Sequence, residues 1–213
     1  LVNHETYTRM DGRFPEQLRT MAITPGPLSK AAGSAFVTVG QQECQLVISV
    51  TPPRPALRSR VFKALGHVEC RVRTVLPPGE GEECKEELAK VVSDCLTVFV
   101  NRQSFPNAFV VIDVLVLTGN ISKDRECILA AAINGAGVAI AHAGIEMLSI
   151  PCCLPFALLQ SSILLMDPTS QERELLTNSP KGVIAFSMLG DGSASVAGMD
   201  VQGVFEEPSL VGE

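Results

Sequence analysis

The chain has 213 residues, of which 46% are apolar, 5% aromatic and 19% charged, with 17 Lys and Arg against 23 Asp and Glu. That is enough apolar material for one large or two small domains, and no block of like charge is long enough to hold the chain open. A net charge of −6 gives no general attraction to nucleic acid, so any such contact has to be local or supplied by partners. No apolar run reaches the ~18 residues of a membrane span, and LVNHETYTRMDGR carries no apolar signal core, so the expectation is an intracellular chain with no membrane segment.

The first thirty residues are polar and turn-rich up to ITPGPLSKAAG and read as an arm (1–30), with regular structure expected after Gly33 in a domain spanning 31–205 and a short tail at 206–213. AFVTVG (35–40) and CQLVISVT (44–51) are β-branched runs joined by polar GQQE, which predicts a hairpin stopped by Pro52, Pro53 and Pro55. HVECRVRTVL sets Val68, Cys70, Val72 and Thr74 against Glu69, Arg71 and Arg73, the period-two pattern of a strand with one wet face. A helix opens near Glu82, with Leu88, Val91, Val92, Cys95, Val98 and Phe99 as its apolar stripe.

PNAFVVIDVLVL (106–117) is apolar on both faces apart from Asp113 and reads as a central strand between layers. Residues 124–147 form a second helix rich in Ala and Gly, whose small side chains permit close backbone approach and mark it as the buried one. Short strands follow at 152–159, 163–166, 182–188 and 195–204. Strands outnumber helices without alternating with them, which predicts an α+β two-layer sandwich.

Seven cysteines is an odd count, and Cys44, Cys70, Cys95 and Cys127 sit among apolar neighbours as reduced core thiols do. There is no C-x-x-C, the histidines His4, His67 and His142 are scattered, and adjacent Cys152 and Cys153 in a strand point to opposite faces. No metal and no cofactor is expected.

Four patterns in order, Arg9-Met-Asp-Gly-Arg13, GSAFVTVG (33–40), LAAAINGAGVAIAHAGIEM (129–147) and MDPTSQERE (166–174), make the chain similar to the RNase PH family, and within it to the RNase PH-like subunits of the eukaryotic RNA exosome. The resemblance implies the ribosomal-protein-S5-domain-2-like fold and a hetero-hexameric ring of such subunits under S1/KH cap subunits, with RNA passing through a channel. It also implies a place in the nucleus, nucleolus and cytoplasm. Active members carry a G-(S/T)-R triplet at the start of the second helix, where backbone N–H groups and the arginine hold phosphate. Here Cys127, Ile128 and Leu129 fill those positions, and Arg173 and Lys181 stand where active members present a pair of acids. Relatives also continue into a closing helix where this sequence reads VFEEPSLVGE.

The implied role is that of a non-catalytic structural subunit. An enzyme reading would have to use Arg125 and Asp167 for phosphate-dependent 3' exoribonuclease chemistry, against surface and turn roles for the same two residues. A third reading is a free-standing RNA-binding module. Its support is a local one: no acid occurs between Cys44 and Val68, whereas Arg54, Arg58, Arg60 and Lys63 cluster in a proline-rich loop suited to RNA or to an acidic neighbour. GDGSAS (190–195) is expected to join two strands rather than carry a nucleophile, and His142 to be a core or interface histidine.

Overall fold

A computed structural model describes residues 9–55, 64–75, 82–159, 163–176, 179–188 and 194–203. Regular structure begins inside the arm, at Met21–Pro25 (β1), earlier than the Gly33 expected from sequence, because Met21 and Ile23 alternate inward and pack on the core while Ala22 and Thr24 stay outside. This strand pairs antiparallel with Gly33–Val39 (β2), which pairs in turn with Cys44–Val50 (β3), the expected hairpin, with Val39 opposite Cys44. Arg54–Pro55 (β4) continues along the same path after the prolines.

His67–Thr74 (β5) runs parallel to the central strand, so a crossover is required, and Glu82–Phe99 (α1) supplies it. Leu88, Val92, Leu96 and Phe99 are fully buried on one face of α1. Val98, expected in that stripe, is 53% exposed, because Leu96 takes the buried face instead. Ala108–Thr118 (β6) is the centre of the first sheet, antiparallel to β3 and β4 and parallel to β5. Its inner positions Val110, Ile112, Val114 and Val116 are buried, whereas Asp113 and Leu115 face outward half-buried, and Asp113 accepts from Arg73 at 2.6 Å. The outer face of this sheet is therefore an ordinary mixed polar one.

Arg125–His142 (α2) is the buried helix that its composition predicts. A Cβ on Gly135 would lie 2.4 Å from Val37 and 2.5 Å from Ile48 of the first sheet, and one on Gly137 would lie 2.6 Å from Pro151 on the other side. The small residues thus let backbone approach two sheets at once. The second sheet consists of Pro151–Leu159 (β7), Ile163–Met166 (β8), Lys181–Met188 (β9) and Ala194–Gln202 (β10), in the order β10-β9-β7-β8. Between β8 and β9 the chain makes a short helix absent from the sequence reading, Ser170–Leu175 (α3), whose Thr169 and Glu172 form a capping box. Cys153 is buried and Cys152 exposed, as expected for neighbours in a strand. The α+β class holds, with the helices on the first sheet and a second sheet closing over α2.

Candidate functional site

At the start of α2 eighteen aligned peptide units end with free N–H groups, the feature that can hold an anion. Asp124 stands at the N-cap, yet its side chain caps no helical N–H. Its carboxylate instead accepts from the Arg173 guanidinium, from Ser170 Oγ at 2.6 Å and from the Asn120 backbone N–H at 3.0 Å. Arg173 also donates to the Pro168 carbonyl at 2.7 Å. Arg173, which the family resemblance leads us to expect at a degenerate acid position, is therefore locked onto the helix start.

One turn of α2 carries the other three positions. Ile128 and Leu129 are wholly buried core residues. Cys127 is buried, hydrogen-bonded to Cys44 and 3.4 Å from Arg19 Nη2. The bond from Cys44 lowers the Cys127 thiol below its ordinary pKa against the effect of burial, with Arg19 and Arg173 helping, while the same bond and burial push Cys44 up. Lys181 opens β9 half-buried, opposite Gln202 and Ala157, away from α2's first turn in sequence and on a different element.

Both members of the enzyme reading are ion-paired with side chains of the same chain. Arg125 is 5% exposed rather than a surface side chain, because Asp200 and Glu87 draw it in at 2.7 and 2.8 Å. Asp167 has a left-handed backbone (φ 50°) and receives the Arg19 backbone N–H at 2.8 Å and the Arg19 guanidinium at 2.9 and 2.5 Å. Burial raises the Asp167 carboxyl, and Arg19 with Arg13 more than offsets it, so the group is held below the usual carboxylate range. Asp124 behaves alike through Ser170, Asn120 and Arg173, and Glu172 through Arg9 and Thr169.

The arm completes this network. Arg9 is buried and grips Glu172 with two bonds of 2.7 and 2.6 Å, and donates to the carbonyls of Met166 and Asp167 at 2.7 and 2.8 Å. Arg19 also reaches Glu43 at 2.6 Å. An open cleft of about 670 Å³ lies alongside, lined by Asp11, Arg13, Arg19, Glu43, Thr169 and Ser170, with acids and cations already neutralising one another. Only Arg125 Nε and Arg173 Nε keep a buried donor without a partner among the described guanidiniums.

Sequence reasoning did not single out Arg19, Glu43 and Asp124, and it did not pair Arg9 with Glu172. A signal existed for part of it: R-M-D-G-R and M-D-P-T-S-Q-E were both noted, and they are the two halves of one contact, while T-S-Q-E spells the capping box.

The basic loop is a separate locality. Arg54 is exposed and lines a second cleft of about 490 Å³ with Lys30, Ser49 and Thr51. Since Cys44 and Val50 are the two ends of β3, this cleft lies about 20 Å from the α2 start. Arg58, Arg60 and Lys63 fall outside the described residues. His142, at the exposed end of α2 beside Gly26, is not a core histidine. Among the described residues no helix is long and apolar enough to cross a membrane.

Residues 17–146, more than half of the chain, match the family model described as 3' exoribonuclease family, domain 1. The chain belongs to the 3' exoribonuclease family. Among its relatives in that family, exosome complex component RRP41-like of Arabidopsis thaliana is 28% identical over 170 residues, covering 78% of this chain and 63% of that protein. Exosome complex component MTR3 of Homo sapiens is 31% identical over 186 residues, covering 76% and 64%. The chain thus spans a little under two thirds of the length of these curated relatives. The crystal structure of rice Rrp46 superposes with a TM-score of 0.78 at 21% identity, over 93% of this chain and 87% of that one. An archaeal exosome core subunit gives 0.73 at 21% identity, over 95% and 82%. The fold is therefore RNase PH-like.

Proposed function

We propose that this member of the 3' exoribonuclease family is a non-catalytic subunit of an RNA exosome core, which completes a hetero-hexameric ring of RNase PH-like chains beneath S1/KH caps and helps form the channel along which RNA travels. One observation carries the reading: the place where phosphate and acids would meet is occupied by the chain's own ion pairs, with Arg173 bound to Asp124 and Arg125 bound to Asp200 and Glu87. A guanidinium already paired with a carboxylate has to break that pair before it can take phosphate, and removing a partner from a buried pair costs about 3–5 kcal/mol. Loss of acid–base groups alone costs about 10²–10⁴ in rate. The relatives named as exosome components support the ring, and the sequence patterns point to the Rrp46 position first and Mtr3 next. Nuclear, nucleolar and cytoplasmic placement follows from that role. The third reading, a free-standing RNA-binding module, predicts a monomer and is tested by the same measurement.

Native mass spectrometry of the chain co-expressed with the RNase PH-like exosome subunits of its own organism tests the reading. One copy per six-membered ring is expected, and a chain that stays monomeric with every such subunit overturns it. In the assembled ring, Arg54→Glu with Arg58→Glu is expected to weaken RNA protection or subunit association; no change in either removes the basic loop from the account.

A further inference from the structure

Two of the seven thiols touch each other. Cys44 opens β3 and Cys127 stands in the first turn of α2, and their thiols are hydrogen-bonded although no disulfide joins them. A Cβ on Gly119 would lie 3.8 Å from Cys44 Sγ and 3.5 Å from Ile128 Cδ1, which sets the Cys44 sulfur against the same turn of the helix. Both residues are buried, and a buried thiol in apolar surroundings is ordinarily inert.

Here one side of the pair is cationic. Arg19 Nη2 lies 3.4 Å from Cys127 Sγ, and the first N–H groups of α2 add positive potential at the same place. The bond from Cys44 holds the Cys127 thiol below its ordinary range against burial, with Arg19 and Arg173 adding to it. Cys70 and Cys153 are buried as well, and there burial pushes the thiols up, Cys70 to about 12. Arg19 also pairs with Glu43 and lines the open cleft of about 670 Å³, so the guanidinium that touches Cys127 is part of the cleft wall. A neutral oxidant little larger than water suits this approach better than a bulky disulfide does.

We propose that Cys127 and Cys44 are a site of oxidation by hydrogen peroxide, with Cys127 the attacking sulfur and Cys44 the resolving one. The Cys127 thiolate attacks one peroxide oxygen and the O–O bond breaks. Hydroxide leaves, takes up the proton that the thiol released and becomes water, and Cys127 is left as a sulfenic acid. Cys44 then attacks that sulfur, the S–O bond breaks, and the Cys44 proton leaves with the hydroxyl as a second water. Two thiols lose two electrons, one peroxide gains them, and no further reactant is needed. The two sulfurs have to close to about 2.05 Å, and Cys44 is the first residue of β3, so the adjustment falls on a strand end rather than in mid-sheet. The product ties that strand end to the first turn of α2, beside Arg19 of the arm.

The purified chain is treated with one equivalent of hydrogen peroxide, quenched by alkylation, digested without reductant and read by peptide mass spectrometry. Cys152 is exposed, so the measurement is repeated in Cys152→Ser, where bridges between molecules through that thiol cannot compete. A linked Cys44–Cys127 peptide is expected, formed at least tenfold faster than Cys70 or Cys153 is oxidised. In Cys44→Ser the linked peptide is lost and dimedone is expected to trap a sulfenic acid on Cys127. In Cys127→Ser, Cys44 is expected to oxidise no faster than Cys70, and oxidation of Cys44 at its original rate overturns the assignment of the two roles. Absence of the linked peptide, or oxidation of Cys127 at the rate of Cys70 and Cys153, overturns the proposal. That comparison is made within one folded chain, so it decides the matter even where a core variant fails to fold.

Discussion

Replacing Asp167 by Asn isolates the energetic role of the carboxylate at the hub of the network. Asn accepts a left-handed backbone as readily as Asp, so the φ of 50° at this position is preserved and backbone strain is not added. What disappears is the charge facing Arg19, whose side chain is 7% exposed and is left with Glu43, itself 44% exposed. Removing one partner of a buried pair costs about 3–5 kcal/mol, and the residual Glu43 contact puts this case near the lower end, about 3 kcal/mol. For a chain of this size that corresponds to a fall in Tm of about 6–12 °C. Urea unfolding at pH 7 with an unchanged m-value measures it. Adding Arg19→Met should recover most of the loss, because no guanidinium is then stranded, and the double-mutant cycle should give a coupling of about 2–3 kcal/mol. A loss below about 1 kcal/mol, the value for a solvated surface pair, would refute the view that these pairs are structural.

The carboxyls of Asp124, Asp167 and Glu172 lie below their unfolded values, so the unfolded chain binds more protons in acid. Stability should be level above the ordinary carboxylate range near pH 4 and fall as pH drops through the depressed values, which urea midpoints between pH 7 and pH 3 will show; a midpoint that rises on acidification contradicts it. Gly135→Ala should cost about 1–3 kcal/mol by overpacking against Val37 and Ile48 despite the better helix propensity of Ala, read as a lowered urea midpoint. Leu96→Ala should cost about 2–5 kcal/mol, while Val98→Ser on the exposed face of the same helix should stay within about 0.5 kcal/mol, both measured by thermal unfolding.

Periodicity made the fold largely legible. The β2–β3 hairpin, the one-sided β5 and the small-residue helix α2 each follow from a local pattern that the tertiary structure reinforces. What stayed hidden depended on long-range pairing. Met21–Pro25 is short and exposed at one edge, so its strand character comes from β2 beside it. Val98 and Leu96 are both apolar, and only the position of the sheet decides which of them is buried. The network was legible in composition but not in connectivity: Arg9 and Glu172 are 163 residues apart, and no spacing rule pairs them. Arg125 looked like a surface cation because its partners Glu87 and Asp200 come from α1 and β10.

Incubation of the purified chain with 3'-labelled RNA and millimolar inorganic phosphate probes the filled helix start without mutation. No nucleoside diphosphate above the protein-free blank is predicted, since every guanidinium described at that helix start is committed to a carboxylate of the same chain. Phosphate-dependent release of nucleoside diphosphate in proportion to chain concentration would contradict it.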